Sequence, residues 1–451
     1  MSTGVLTGKS ESATTRFVDA GEVDRRSRRP LLWVLGTALG LRLLVAFVVF
    51  PIIQPMTGLS HGSDGYEHVA DTLAKGGGYR FAPDLGPTMY LVPAYPLFLA
   101  GLFLLTSHHL IIAKAAQCIL DTISCYLVYR IGERSVGRRV GLTGAAFYAI
   151  YPGAMIACSR YLAEPLFVFL TLSFVCLFAR YMKRGRKGVL IQSGIALAAA
   201  VLCKSVAGAM PIFLLICGLF VPAWRQCRAR AMIGLATCLI ITGLGAAPWI
   251  YRNYRVTGMY IYPSTLGGAA IYTASVYLDH PEQSIRDSVD LAALEIRQIA
   301  TENGIRLDPR DAYPRWFYDP MDEVRLDRIT KGIGKERIFA DPLAFARHVV
   351  GNCWRFWLGA PTAISMAFSA VINLPLLLFA AVGLFVSSWW RRPDLTLWVA
   401  VGVYLFLSHV AVLAVVRYAL TVMPLVCLLA GVGGLYLWDK FISRNRKTQT
   451  A

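Results

Sequence analysis

Charged residues are scarce in this chain. They make up 16% of its 451 residues, against roughly 25% in a soluble domain. Hydrophobic residues reach 56%, and the mean hydropathy is +0.52. A water-soluble fold cannot hide that much apolar surface, whereas a bilayer can act as solvent for it. Acids are the rarer sign, 27 against 45 Lys and Arg, for a net charge of +18. In a soluble protein that excess would point to nucleic acid, but RNP, zinc-finger and helix-turn-helix patterns are all missing. The basic residues fall between apolar runs, where they report topology, so no nucleic-acid partner is expected. The ten cysteines include no CxxC and no Cys/His spacing suited to zinc. Cys118, Cys176, Cys203, Cys238 and Cys427 lie in apolar runs and read as small buried residues. HExxH is missing as well. GGGY at 76–79 lacks both GxGxxG and the P-loop lysine, which leaves it as a flexible turn. No internal repeat of the kind found in many transporters is present.

What the chain does have is a series of apolar runs. Spans are expected at 31–52, 110–130, 141–158, 161–180, 189–204, 206–223, 231–250, 369–388, 395–412 and 418–437, each near the ~20 residues that cross a bilayer. Ten crossings put six basic clusters on one side: Arg25–Arg29, Arg130–Arg139, Lys183–Lys187, Arg225–Arg230, Arg391–Arg392 and Lys440–Lys447. Lys and Arg favour the cytoplasmic face. The 14-residue run 93–106 is therefore read as an interfacial or partly inserted helix, because a crossing there would push Arg130–Arg139 outside. The fold expected is an all-α polytopic membrane protein with about ten transmembrane helices and outer juxtamembrane helices. Residues 1–30 read as a disordered cytoplasmic tail rather than a signal peptide. Residues 31–250 form a transmembrane module that includes a first outer loop, 53–109. Residues 251–368 form a long outer loop with amphipathic helices such as LAALEIRQIA at 291–300. FARHVVGNCWRFWLG at 345–359 suggests a helix in the headgroup zone. Residues 369–438 hold the last spans, and 439–451 a second cytoplasmic tail. Such a topology turns any active site toward the outer face of the membrane.

Acids in or beside membrane helices are expensive and mark function by default. Asp64 follows the first span, and Glu164 stands at the outer start of 161–180. An acid pair there suits general-base chemistry or binding of a hydroxyl-rich substrate, and low dielectric would raise a carboxyl pKa toward that of a useful base. A plain loop acid and a helix N-terminal acid are the structural alternatives. Asp121, inside a span, reads as a buried group paired to a neighbouring helix. Glu67, Asp71 and Asp84 read as solvated loop acids. Lys204, Arg252, Arg255 and Arg417 all lie at the outer end, against the usual bias. Lys204, Arg252 and Arg417 could converge on one phosphate; snorkelling to lipid is the alternative for Lys204. His61, His68, His108 and His109 lie on the same side without a ligand-pair spacing; His61 and His68 are the two within reach of a site.

These residues, in order, resemble the GT-C membrane glycosyltransferases. The chain is similar to bacterial relatives of the protein O-mannosyltransferases and the lipid A aminoarabinose transferases. The resemblance runs over roughly 31–440, more loosely after 270. It is carried by Asp64 with Tyr66, Ala70, Leu73, Gly76 and Gly78–Tyr79, then PAYPLFLA; by GRRVGLTGAAFYAIYP with AEPLF; by Lys204; and by APWIYRNYRVTG and RYALTVMP. Many relatives place an acid four residues before the Tyr, here Gly62, and a second directly after the first, here Gly65. The resemblance implies an inverting glycosyltransferase of a bacterial plasma (inner) membrane, its active site facing the periplasm, that moves a sugar from a polyprenyl-phosphate donor to a lipid, glycan or protein acceptor on the outer face. It implies Asp64 as base, Glu164 as an orienting acid and Lys204 on the donor phosphate. Arg252 and Arg417 are added to the phosphate site by charge and position, and Tyr66, Tyr95, Arg160, Tyr161 and Arg255 are expected to line the substrate. No cofactor is expected; two acids leave room for a divalent metal, which is not favoured for a monophosphate donor. An O-antigen-type polymerase or ligase, centred on a late loop at Arg315–Arg328, and a lipid or solute transporter are the rival readings.

Overall fold

A computed structural model describes residues 29–57, 64–106, 110–279 and 285–449. Residues 1–28, His61, Gly62, His108 and His109 lie outside the described residues. Among those described, the regular elements are helices, joined only by an isolated antiparallel bridge between Leu307 and Phe317. Lipid dictates this, because a helix satisfies its own backbone groups where water cannot.

Each of the ten expected runs is helical. Among the described residues, seven helices are long and apolar enough to cross a membrane: Arg29–Pro55, Ile111–Ser135, Glu164–Arg184, Pro222–Thr257, Ala363–Val386, Pro393–Val410 and Met423–Ser443. An eighth span results if Arg138–Ala149 and Pro152–Cys158, bent by 55°, count as one. The bend falls where Tyr151, extended before Pro152, leaves the helical region, as residues before proline do. The remaining two expected spans are shorter. Lys187–Cys203 has 17 residues and stops where Lys204 turns extended (φ −141°, ψ 123°). A 3-10 turn, Ser205–Ala209, then leads into Met210–Phe220. Ala94–Thr106 has 13 residues, about 20 Å of helix, too short for ~30 Å of hydrocarbon.

Close backbone approach holds the last spans together. A Cβ on Gly383 would meet Leu429 O at 1.9 Å, and one on Gly433 would meet Phe379 O at 2.0 Å, so only glycine fits this helix crossing. Asp121 behaves as expected for a buried paired group. Its partner is Arg42, whose Nε lies 2.6 Å from Asp121 Oδ2, with side chains 0% and 1% exposed. Tyr148 Oη donates to Asp121 Oδ1 at 2.6 Å.

The long hydrophilic segment has a core of its own. Leu266–Asp279, Ile285–Glu302 and Pro320–Ala340 bury Tyr272, Val276, Ala292, Ile296, Ala300 and Leu326 against one another. Ala292, Ile296 and Ala300 repeat every four residues, the amphipathic face legible in LAALEIRQIA. Pro342–Leu358 buries His348, Asn352 and Phe356. Asn352 Nδ2 donates to Val410 O at 3.0 Å, which docks this helix on the end of a span.

The basic clusters gather at one end. Lys183 Nζ lies 2.6 Å from Asp394 Oδ2, and Arg139 Nη2 lies 3.8 Å from Asp439 Oδ1. Arg230 Nη1 donates to Met182 O at 3.0 Å, and Arg392 Nη1 donates to Ser135 O. Glu164 and Lys183 sit nineteen residues apart on one helix, about 28 Å at 1.5 Å per residue. Glu164 therefore marks the opposite end of the bundle.

Candidate active site

Four segments distant in sequence bring four charges together. Asp64 precedes Gly65, whose left-handed backbone (φ +77°) opens the helix Tyr66–Ala74. A Cβ at Gly65 would meet the Phe81 ring at 2.9 Å, so an acid cannot occupy that position without moving Phe81. Glu164 is the first residue of its span, with Pro165 next to it at the helix start. Lys204 is the extended residue that ends Lys187–Cys203. Arg417 lies in the short helix Val416–Ala419, between two spans.

Arg417 is the hub. Its Nε donates to Glu164 Oε1 at 2.7 Å, its Nη1 donates to Asp64 Oδ1 at 3.2 Å, and its Nη2 donates to Asp64 Oδ2. Lys204 Nζ donates to the same Glu164 Oε1 at 2.9 Å. Tyr418 lies against both cations, its ring centroid 5.0 Å from Lys204 Nζ and 5.8 Å from Arg417 Cζ. Glu164 is fully buried, whereas Arg417 and Asp64 keep 25% and 27% of their side chains exposed. A substrate can thus reach Asp64 and Arg417 but not the body of Glu164. Glu164 Oε2 is buried with no hydrogen-bond partner, an arrangement that calls for explanation in a native site.

The electrostatics differ from expectation. Burial pushes the Asp64 carboxyl up, but Arg417, by charge and hydrogen bond, together with Lys204 and Arg315, holds it well below the usual carboxylate range. The raised pKa expected from low dielectric is overturned because a bidentate guanidinium stabilises the carboxylate. In this state Asp64 is ionised and a weak base.

Arg160, 9% exposed, lies in electrostatic reach of Asp64, Glu164 and Arg417. Tyr66 is buried beside Asp64 and stands edge-on to Tyr95 at 4.9 Å. Tyr95 is fully buried, and its hydroxyl donates to Gln117 Oε1 at 2.6 Å, so it braces the site rather than lining it. Tyr161 is likewise buried, with Lys114 Nζ 5.6 Å from its ring centroid.

Arg252 does not join Lys204 and Arg417. Its Nη1 donates to Thr88 O at 2.8 Å and its Nη2 to Tyr79 O at 3.3 Å, while Tyr79 and Trp249 flank the guanidinium. It fastens the loop that follows Asp64 to the span Pro222–Thr257. Arg255 is exposed and hydrogen-bonds the Tyr251 hydroxyl at 3.1 Å. Glu67 is half-buried, and burial raises its pKa, so it is not the solvated acid expected. His68 packs on Trp316, 5.1 Å between ring centroids. Asp71 and Asp84 are exposed, ion-paired to Lys75 and Arg310.

Tyr90 and Glu323 are not legible in the sequence, and Arg315 is legible only through the ligase reading. Arg315 and Tyr90 come within electrostatic reach of Asp64, and Arg315 Nη2 is tied to Asp311 Oδ1 at 2.8 Å. Glu323 is 2% exposed and joins the two loop regions. Its Oε1 accepts from Met89 N at 2.9 Å and from Thr265 Oγ1, and its Oε2 accepts from Thr88 Oγ1 at 2.8 Å. Burial pushes its carboxyl up to about 7, against the pull of these donors.

The helical bundle is similar in fold to solved membrane oligosaccharyltransferases. Within it, residues 88–251 match the family model for dolichyl-phosphate-mannose-protein mannosyltransferase. That stretch takes in Tyr95, Arg160, Tyr161, Glu164 and Lys204. No curated protein matches the chain in sequence. Among solved structures, the chain is similar to the oligosaccharyltransferase AglB of Archaeoglobus fulgidus in complex with an inhibitory peptide and a dolichol-phosphate. The identity is 14% and the TM-score 0.56, over 93% of this chain and 52% of that one. The apo form of the Archaeoglobus fulgidus oligosaccharyltransferase gives 13% and 0.58, over 95% and 53%. ArnT of Cupriavidus metallidurans bound to undecaprenyl phosphate gives 14% and 0.42, over 89% and 76%. The chain thus spans about half the length of the archaeal structures, and the likeness is one of fold.

Proposed function

We propose that this protein is an inverting glycosyltransferase that takes a sugar from a polyprenyl-phosphate donor and transfers it to a hydroxyl acceptor at the outer face of the membrane. The observation that carries the reading is the convergence of Asp64, Glu164, Lys204 and Arg417 at one end of the bundle. Two of these charges suit a leaving phosphate and one suits proton abstraction. The archaeal oligosaccharyltransferase of similar fold, solved in complex with an inhibitory peptide and a dolichol-phosphate, supports a lipid-linked donor.

The resting ion pairs suggest how the steps are ordered. Arg417 neutralises Asp64 while the site is without substrate. An incoming donor phosphate competes for the same guanidinium, which matches phosphate geometry bidentately. Once Arg417 turns to phosphate, Asp64 loses its main stabilising partner and burial raises its pKa, so donor binding creates the base. The acceptor hydroxyl then attacks the anomeric carbon and gives its proton to Asp64. The new C–O bond forms as the bond to the phosphate oxygen breaks, and Lys204 and Arg417 hold the departing phosphate charge. Glu164, buried behind them, orients both cations toward the donor through Oε1. The positive charge comes from side chains, so the reading takes no divalent metal. In the ligase reading Arg315 would be the central cation, but it is committed to Asp311.

The test is the purified protein in nanodiscs with a panel of radiolabelled polyprenyl-phosphate sugars and a membrane extract as acceptor. Transfer from one donor is expected, with an Asp64→Asn loss of about 10²–10⁴-fold, the range for a positioned general base. Near-wild-type turnover of the folded variant would sink the base assignment.

A further inference from the structure

The far end of the bundle holds a second polar site that the transfer reading does not use. A cavity of about 250 Å³ opens there between four spans. Arg134, Lys183, Arg391 and Arg392 line it, with Asp394 as the one acid. Lys183 is paired to Asp394 at 2.6 Å. Arg134, Arg391 and Arg392 make no ion pair among the described residues; Arg392 donates to Ser135 O, and Arg134 Nη1 lies 3.5 Å from Cys176 Sγ. Ser135, also in the lining, has a buried hydroxyl oxygen with no hydrogen-bond partner.

Arg134 and Arg391 are exposed and Arg392 is half-buried, so three guanidinium groups stand open around one hollow and concentrate positive potential there, which draws an anion. The cavity is several times the roughly 30 Å³ that a water takes in the liquid, so it has room for a polyatomic anion. Guanidinium forks match the oxygens of a phosphate. Trp389 and Trp390 stand beside Arg391, Trp390 exposed, and paired Trp residues at a span end sit at headgroup level. Basic pockets between helix ends at that depth suit acidic lipid headgroups.

We propose that this cavity binds the phosphodiester of an anionic lipid, with Arg134, Arg391 and Arg392 as its ligands and Asp394 limiting its affinity by holding Lys183. The test is native mass spectrometry of the full chain, released from nanodiscs of phosphatidylcholine with or without diphosphatidylglycerol. Retention of the acidic lipid is expected to fall at least tenfold in R134Q/R391Q/R392Q and to stay unchanged in R139Q, whose arginine lies outside the cavity. Asp394→Asn frees Lys183 and is expected to retain the lipid more tightly, a gain that misfolding would not produce. Wild-type retention by the triple variant, or no gain in Asp394→Asn, overturns the proposal. Stripping of the lipid by millimolar inorganic phosphate, with that ion held by the same residues, overturns the lipid as occupant and makes the cavity a free-phosphate site.

Discussion

The guanidinium of Arg417 serves two carboxylates at once, and its replacement separates charge from geometry. Arg417→Lys keeps the charge but cannot bond Asp64 through two nitrogens while reaching Glu164. Transfer is expected to fall about 10²-fold, the scale for losing one positioned donor at a developing charge. The donor KM should rise alongside, since the same group is to hold the phosphate; an unchanged KM would mean that Arg417 acts only at rest. Asp121 is a cleaner structural case. Asp121→Ala strands Arg42 at 0% exposure and is expected to cost roughly 3–5 kcal/mol. Thermal melts in nanodiscs read this out, and most of the loss should return in Arg42→Met/Asp121→Leu. Glu164, Lys204 and Arg417 are legible because a charge at the mouth of a span needs a reason and each stands almost alone in an apolar stretch, whereas Asp64, in a loop with Glu67, His68 and Asp71, stands out by its spacing to Tyr66. Arg252 met the same criterion and was misread. Its partners are the carbonyls of Tyr79 and Thr88, 173 and 164 residues away, and nothing local distinguishes a guanidinium that ties down a loop from one that awaits a phosphate.

Between elements, Glu323 decides how the first loop meets the late segment. It is the shared acceptor for Thr88, Met89 and Thr265, while Gly86 N donates to Phe317 O at 3.0 Å. With its carboxyl raised from an ordinary 4.5 to about 7, the folded protein binds the Glu323 proton more tightly than the unfolded chain. Its contribution is full below about pH 4.5 and is lost as pH rises toward 7, beyond which the loss is complete. On the order of 3 kcal/mol is at stake, from 1.36 kcal/mol per unit. Glu323→Gln should therefore flatten the fall in stability between those limits and stabilise the protein at pH 8. Its amide can still donate to the Thr88 hydroxyl, which reverses its role. Unfolding midpoints of both forms at pH 5 and pH 8 check this, and an identical slope in the two would remove Glu323 as its source. The apolar runs were readable as helices because lipid permits little else. The Glu323 junction was not, since a lone Glu in a charged helix of the late segment looks like any solvated residue until the fold covers it. The break at Lys204 was also hidden. AVLCKSVAGAMP carries no proline at that point, and the helix stops where the lysine must turn toward Glu164.

At the scale of the whole molecule, two charged ends about 28 Å apart along one helix make opposite demands on the membrane. The basic clusters converge on one end through Lys183–Asp394 and Arg139–Asp439. The acids Asp64 and Glu164, with the long segment that covers them, occupy the other. Positive charge favours the cytoplasm, and a lipid-linked donor site of the proposed kind must then open outward. The inference joins two independent features, charge bias and site position, and it can fail in either. Lys331, exposed on Pro320–Ala340, and Arg186, exposed beyond Glu164–Arg184, are suitable reporters. Single cysteines placed at these positions should react oppositely with a membrane-impermeant maleimide on intact spheroplasts. Lys331→Cys should label fully and Arg186→Cys only after lysis, each read against the unsubstituted chain, whose ten cysteines set the background. The reverse pattern would turn the acid cluster toward the cytoplasm. Such a site would face a pool of nucleotide-linked sugars, for which the chain has no phosphate-cradling glycine loop, and the polyprenyl-phosphate reading would have to be abandoned along with the orientation.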